Sequence, residues 1–405
     1  MTLSAPAVPA QPPFIDAARR AILALCSDDA ATIRLALTAL SPGDWPDLAA
    51  QAHSARMSCL LDQACRDPAL ADVPPEVRRT LSERRARGAR RALALQAQTV
   101  RIHDTLTEAG VPHLFLKGLF LAPFCYPGPE LRPARDIDVL VPETDALRAW
   151  TVLAAPGKDH AVPDAVPRTR KHLPHVPVRD GEVTIEVHTR IADLGLLPGA
   201  GEADLTHAAL APRAIARSLG GRTLRFPGAT DQALHLCIHA ALEHRFNNGS
   251  LTLCDLRRLV QTEAIDWPRL WDSADRIGAA RAVLLTVVLA ERFGGLASVP
   301  RPERWLKAAP EPDPEVIAAA LDAMCPDARS PRRTALPGLR DLRGILLPSP
   351  RELAAVHGGA GTLRAQAENY VRHWKRIGTK ALGDQQPGAG SAGRGIIDNW
   401  TRHTS

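Results

Sequence analysis

Residues 116–142, "LKGLFLAPFCYPGPELRPARDIDVLVP", place Asp136 and Asp138 two apart inside an otherwise apolar run, shortly after a Lys117-Gly118 pair. On a strand, residues two apart project from one face, so the two carboxylates emerge together while Ile137 and Val139 enter a core on the other side. Held side by side, the acids repel unless something cationic lies between them. A divalent ion is the economical neutraliser, and hard oxygen ligands favour magnesium or manganese. The plainer alternative is an exposed edge strand whose acids pair with Arg132 and Arg135.

Upstream, "VPHLFLKG" from Val111 is a compact apolar segment after a helix that stops at Gly110, which predicts a strand ending in the Lys117-Gly118 turn. Such a turn offers backbone amides and a cation to phosphate oxygens, although a surface lysine beside an ordinary turn glycine is the bland reading. The excursion from Leu119 to Arg135 is expected to loop out. Downstream, "PETDALRAWTVLAAPG" predicts a helix, and "HVPVRDGEVTIEVHTRI" predicts two strands joined at Asp180-Gly181. In the second of these, Glu186 shares a face with His188 while Ile185 and Val187 take the other. Paired beside the first strand, it would deliver a third carboxylate. His188 would then orient Glu186, touch a phosphate, or serve as a hydrogen-bonded structural histidine.

Helical periodicity fills the flanks, from Phe14 to Gly110 and again beyond Gly220. The arginine-dense stretch from Arg78 to Arg101 reads as a solvated helix face. His235, His239 and Glu243 fall at four-residue steps, compatible with metal binding but more often packing or surface, and zinc is not expected there. Asp255 in "LCDLRRL" is a partner for Arg257 or Arg258, or a turn cap. Residues 299–350 are proline-crowded and predict an irregular connection with short helical pieces; an amphipathic helix follows in "LRAQAENYVRHWKRIG". The division expected is a helical region over 1–90, an α/β core over 91–225, a second helical region over 226–380 and a flexible tail over 381–405. The fold class is α+β, a small mixed or antiparallel sheet between helical flanks.

Composition narrows the function. The seven cysteines form no Cys-x-x-Cys pair, which fits a reducing cytoplasm rather than a disulfide framework or a zinc ribbon. The Pro-rich start lacks a signal-peptide pattern, and the apolar run from Ala282 to Ala290 is too short for a bilayer. A net charge of +6 with 4% aromatic residues argues against a stacking surface for nucleic acid and leaves anionic small molecules as partners.

Taken together, "FLKGLFLAPFCYPGPELRPARDIDVLVP", "TIEVHTRI" and the helical stretch from "LHLCIHAALEHRF" through "LCDLRRLV" to "VLAERFG" resemble the uncharacterised nucleotidyltransferase family of the DNA polymerase β-like superfamily. The resemblance runs from about Arg90 to Gly295. It implies a polymerase β-like core in which Asp136, Asp138 and Glu186 bind Mg²⁺ or Mn²⁺, with Glu186 also positioned to receive the acceptor's proton. It sets Lys117 and Gly118 beside the phosphates of a nucleoside triphosphate. Arg132 and Arg135, whose guanidinium groups suit bidentate phosphate contacts, and His188 complete the expected nucleotide-binding set. The implied reaction is transfer of a nucleotidyl group to a hydroxyl or phosphate on a small-molecule, peptide or protein acceptor. Two alternatives remain open: transfer of a sugar or other group to a natural-product peptide from the same site, and a non-catalytic nucleotide-binding partner protein. One departure is visible: the superfamily's phosphate turn is usually Gly-Ser or Gly-Gly, whereas Leu119 follows Gly118 here and offers no hydroxyl.

Overall fold

The computed structural model describes residues 16–70, 72–156, 163–166, 170–193, 196–197, 202–303, 311–325 and 391–402. Four short helices open the described chain: α1 (Ala17–Ser27), α2 (Ala30–Thr38), α3 (Asp44–Ser54) and α4 (Ser58–Ala64). Two begin with an aspartate cap, the Asp16 side chain accepting from Arg19 N and that of Asp29 from Thr32 N, which satisfies amides left free in the first turn. Helix α5 (Pro75–Glu108) then runs for 34 residues, with proline at its first position, where a missing N–H costs nothing. The domain boundary expected at residue 90 falls inside this helix. Gly88 two residues earlier does not break it, because its neighbours are strong helix formers.

A three-stranded sheet follows, in the order β1 (Leu114–Phe115), β2 (Asp136–Leu140), β3 (Thr184–His188). β1 lies antiparallel to β2, whereas β2 and β3 are parallel, so the sheet is mixed and β2 is its centre. The hairpin expected at Asp180-Gly181 is only partly realised. Gly181 turns the chain at φ 83°, but the returning arm touches β3 through single bridges, His172 to His188 and Val176 to Ile185. Pro174 and Pro177 interrupt that arm and cannot donate to a ladder.

The excursion between β1 and β2 does not loop out. It forms helix α6 (Gly118–Cys125) and a 3₁₀ turn over Pro129–Leu131, with Leu119, Phe120, Leu121, Tyr126 and Leu131 buried. A stretch so rich in large apolar side chains is more stable packed than solvated. After helix α7 (Ala146–Leu153), β3 and the short α8 (His207–Leu210), the structure adds a hairpin where helices were expected to resume. β4 (Ile215–Leu219) and β5 (Arg222–Phe226) pair through Gly220 and Gly221, at φ 56° and 75°. Two consecutive left-handed residues make the tight turn that matches strand twist. Phe226 from this hairpin packs against Phe115, Phe120 and Phe124, tying hairpin, sheet and α6 together.

The C-terminal helices are α9 (Ala229–Ile238), continued by a π-helical turn over His239–Glu243, then α10 (Leu251–Thr262), α11 (Trp267–Arg276), α12 (Ala280–Phe293), α13 (Pro314–Met324) and α14 (Ser391–Arg402). Within the tail expected to be flexible over 381–405, residues 391–402 form α14, which buries Ile397 and Trp400 and packs on α12 and α13, while the rest of that stretch lies outside the described residues. An amphipathic face compensates there for the glycines that suggested disorder. The amphipathic helix expected over 363–378 lies outside the described residues. Buried side chains from Ala18 to Trp400 join in one apolar cluster, with α1 seated against α10 and α12. All seven cysteines are buried and free. Among the described residues, no helix is long and apolar enough to cross a membrane.

Candidate active site

The parallel register of β2 and β3 sets Asp138 directly opposite Glu186, with Asp136 opposite Thr184. Because side chains alternate, Asp136, Asp138, Glu186 and His188 share one face while Ile137, Val139, Ile185 and Val187 fill the core behind them. Asp138 is 3% exposed on the central strand, which rules out a solvated edge strand.

Each carboxylate oxygen of Asp138 and Glu186 faces a nitrogen. Lys117 Nζ is 3.0 Å from Asp138 Oδ2. The fully buried His188 places Nε2 at 3.2 Å from both Asp138 Oδ1 and Glu186 Oε2, bridging the strands. His175 Nε2 lies 3.1 Å from Glu186 Oε1, and His172 flanks it at 3.9 Å from Oε2. Electrostatics follow from this contact map. Burial pushes the Asp138 carboxyl up, but Lys117 and His188 outweigh it and hold the group well below the usual carboxylate range. Glu186 behaves alike: burial raises it, and hydrogen bonds from His175 and His188 bring it far down. Burial opposes charge on His188 and Lys117 too, yet Asp138 raises both. Asp136 goes the other way, raised by burial and by the negative charge of Asp138. One acid of the pair is thus held ionised, and its neighbour is left short of a cation.

Lys117 and Gly118 form a tight, crowded turn. Lys117 caps α6 with φ 46° and ψ −113°, a conformation that costs a non-glycine residue on the order of 1–3 kcal/mol. Gly118 has no room for a side chain, since a Cβ there would lie 2.2 Å from Arg132 Nη1. Arg132 cannot easily withdraw. Its Nε and Nη2 grip Asp255 at 3.1 and 2.8 Å, and Tyr126 Oη donates to the same carboxylate at 2.8 Å. Asp255 therefore pairs with Arg132 rather than with Arg257 or Arg258, both of which bind Asp28.

The structure thus gathers Lys117, Asp138, Glu186 and His188 into contact, with Asp136 on the same face and Gly118 packed under Arg132. It engages Arg132 with Asp255, and leaves Arg135 exposed at the foot of β2. Sequence reasoning missed His172 and His175. Their signal was present, since "KHLPHVP" precedes the strand that carries Glu186 and would return antiparallel beside it. Ligand atoms of Asp138, Glu186 and His188 lie within 4.8 Å of one another. Two carboxylates and an imidazole at that span fit a divalent cation, with oxygen donors in the majority.

Mixed sheet, buried carboxylate–histidine–lysine cluster and flanking helices define an α+β protein built around one charged face of a parallel strand pair. The profile of the uncharacterised nucleotidyltransferase family matches residues 41–295, well over half of the chain, and the chain belongs to that family. Membership assigns it, at the level of reaction class, to the transferases. No curated protein and no solved structure matches the chain.

Proposed function

We propose that this chain transfers a nucleotidyl group from a nucleoside triphosphate to a hydroxyl or phosphate on a small-molecule, peptide or protein acceptor, with Mg²⁺ or Mn²⁺ held by Asp136, Asp138 and Glu186. The observation that carries this reading is the register match of Asp138 with Glu186 across two parallel strands, with Lys117 reaching the same carboxylate from the start of α6. When bound, the ion supplies Lewis acidity toward phosphoryl oxygens and lowers the pKa of the acceptor hydroxyl. The protein's own work is positioning and charge. His188 clamps Asp138 and Glu186 at a fixed separation, and His175 fixes the outer oxygen of Glu186. Lys117, once released from Asp138, would act as a point charge toward a phosphate oxygen. Glu186, held well below the ordinary glutamate range, is a weak base; it serves as a ligand and accepts a proton only from an already acidified hydroxyl. Arg135, exposed just before β2, would contact the outer phosphates, while Arg132 packs against Gly118.

The test is mass spectrometry of acceptor libraries incubated with each triphosphate and Mg²⁺, together with pyrophosphate release. Added nucleotidyl mass with stoichiometric pyrophosphate is expected from the native chain. Asp138→Asn is expected to lose at least about a thousandfold in turnover while keeping its circular dichroism spectrum. Native turnover in that variant overturns the proposal.

A further inference from the structure

A second cluster adjoins the first, with Lys171 between them. α9 passes at His239 into a π-helical turn, in which His244 N donates to His239 O at 3.2 Å. In an α-helix, residues five apart point about 140° away from each other. The π turn instead stacks them, and His239 and His244 come to 3.1 Å between their Nε2 atoms. The turn is closed by Arg245 and Phe246, both left-handed at φ 47° and 61°, with the buried Phe246 donating its N–H to Ala240 O at 2.7 Å. Two strained non-glycine residues in succession hold this arrangement.

Glu243 completes the group. One of its oxygens accepts from Lys171, while Oε1 is buried with no partner among the described residues. One turn before His239, His235 is 2% exposed, and its Nε2 also lacks a described partner. Buried polar atoms are nearly always satisfied, so the orphaned Glu243 Oε1 beside a histidine pair points to a missing ligand.

We propose that His239, Glu243 and His244 form a metal site for a divalent transition ion of the zinc class, built from ligands other than those of the Asp138–Glu186 cluster, which it adjoins through Lys171 and Lys117. The distances fit. With Zn–N bonds of about 2.0–2.1 Å, two nitrogens on a tetrahedral ion sit about 3.3 Å apart, close to the 3.1 Å found. His239 Nε2 is 3.8 Å from Glu243 Oε2, the oxygen that also accepts from Lys171, and one ligand atom from each of the three residues falls within 4.8 Å of the others. Two imidazoles and one carboxylate suit zinc, nickel or cobalt better than magnesium. His244 is exposed, so the fourth position faces solvent, as in sites that keep a water or substrate. Lys171 is a positioning residue, fixing Glu243 as outer hydrogen bonds fix metal ligands elsewhere. The competing account is a plain hydrogen bond between two neutral imidazoles.

The experiment is calorimetric titration of tag-free, full-length protein with Zn²⁺, and with Co²⁺ followed by its visible absorption. Native protein, His244→Ala and Asp138→Asn are compared. His244 is exposed, so its replacement leaves the core intact, and circular dichroism checks this. A tight site is expected in the native chain and retained in Asp138→Asn, which removes only what the Asp138–Glu186 cluster binds. Loss of outer-sphere partners weakens metal binding roughly 10- to 100-fold, so loss of the His244 ligand is expected to cost more than about 100-fold and to abolish the cobalt band. Absence of a stoichiometric site in the native chain overturns the proposal. So does native affinity in His244→Ala, or loss of all binding in Asp138→Asn.

Discussion

Replacing Lys117 by methionine isolates the electrostatics of the site, since the side chain keeps its approximate length and loses only its charge. Asp138 Oδ2 then faces an apolar group in place of an ammonium 3.0 Å away. At an effective dielectric near 20, the lost attraction is about 5–6 kcal/mol. Release of the lysine from its own burial returns part of this, and the positive charge of His188 and Lys171 near Asp138 returns more. Removing one partner of a buried pair costs about 3–5 kcal/mol, and with other cations close by the low end, about 3 kcal/mol, is expected. The loss depends on pH, and its sign is fixed. Without Lys117, the Asp138 carboxyl loses its largest lowering partner and rises from its native position. The folded variant is therefore penalised wherever that carboxyl must stay ionised, and relieved where it binds a proton. Each pH unit across that range is worth about 1.4 kcal/mol, so the deficit grows as pH rises. Urea denaturation at pH 6 and pH 8 measures it, and added Mg²⁺ is expected to stabilise the variant more than the native chain. A deficit under about 1 kcal/mol at pH 8, or one that shrinks with rising pH, refutes the charge balance described here.

Gly118→Ala drives a Cβ to 2.2 Å from Arg132 Nη1 and 3.1 Å from Ala134 Cβ. Arg132 is held on Asp255, so overpacking of about 2–3 kcal/mol is expected, read as a lower urea midpoint. Asp255→Asn leaves the buried Arg132 guanidinium and Tyr126 hydroxyl facing an amide, and a loss of about 3–5 kcal/mol is expected in the same assay. Acid exposes a different group. Burial, chiefly, lowers His113 to about 4, below the ordinary 6.5. The unfolded chain therefore takes up a proton first, and stability falls as pH drops from 6.5 toward 4, by at most about 2 kcal/mol from this residue between pH 7 and 5. Denaturation of the native chain and of His113→Gln at both pH values checks it; equal acid sensitivity in the two refutes the assignment.

What the sequence disclosed depended on how local the deciding physics was. The alternation that sets Asp136 and Asp138 on one face, and Glu186 with His188 on another strand, is a two-residue rule, and the structure follows it. Lys117 stands at a strand end as expected, but not as a surface lysine: it is buried against Asp138 and α6, which the lysine's neighbours in sequence do not reveal. The hairpin of β4 and β5 was legible in "IARSLGGRTLRF", where Gly-Gly separates two alternating runs, and was obscured by the helices that follow it. By contrast, the pairing of Arg132 with Asp255 spans 123 residues and had two nearer competitors in Arg257 and Arg258. The π turn is a further case. Spacing by four suggested that His235, His239 and Glu243 form one stripe, but the turn regroups His239 with His244, at a spacing no α-helical pattern would select.

The distribution of cations around Asp138 and Glu186 bears on why the site tolerates its own charge. Ionised acids in a buried setting are costly unless paired, and here the four oxygens are covered by Lys117, His188 and His175, each from a different direction. Two of those partners are imidazoles, which become neutral more readily than a lysine does, and the third is a flexible lysine held by a strained backbone at a helix start. The balance is therefore built from groups that can release a carboxylate oxygen at modest cost. Purely structural pairing would favour the other design visible in the same molecule, the bidentate grip of Arg132 on Asp255, where the cation cannot lose its proton and a tyrosine locks the carboxylate in place. The contrast between an exchangeable set on β2 and β3 and a fixed pair beneath Gly118 separates the side chains that can accept a ligand from those that hold the frame.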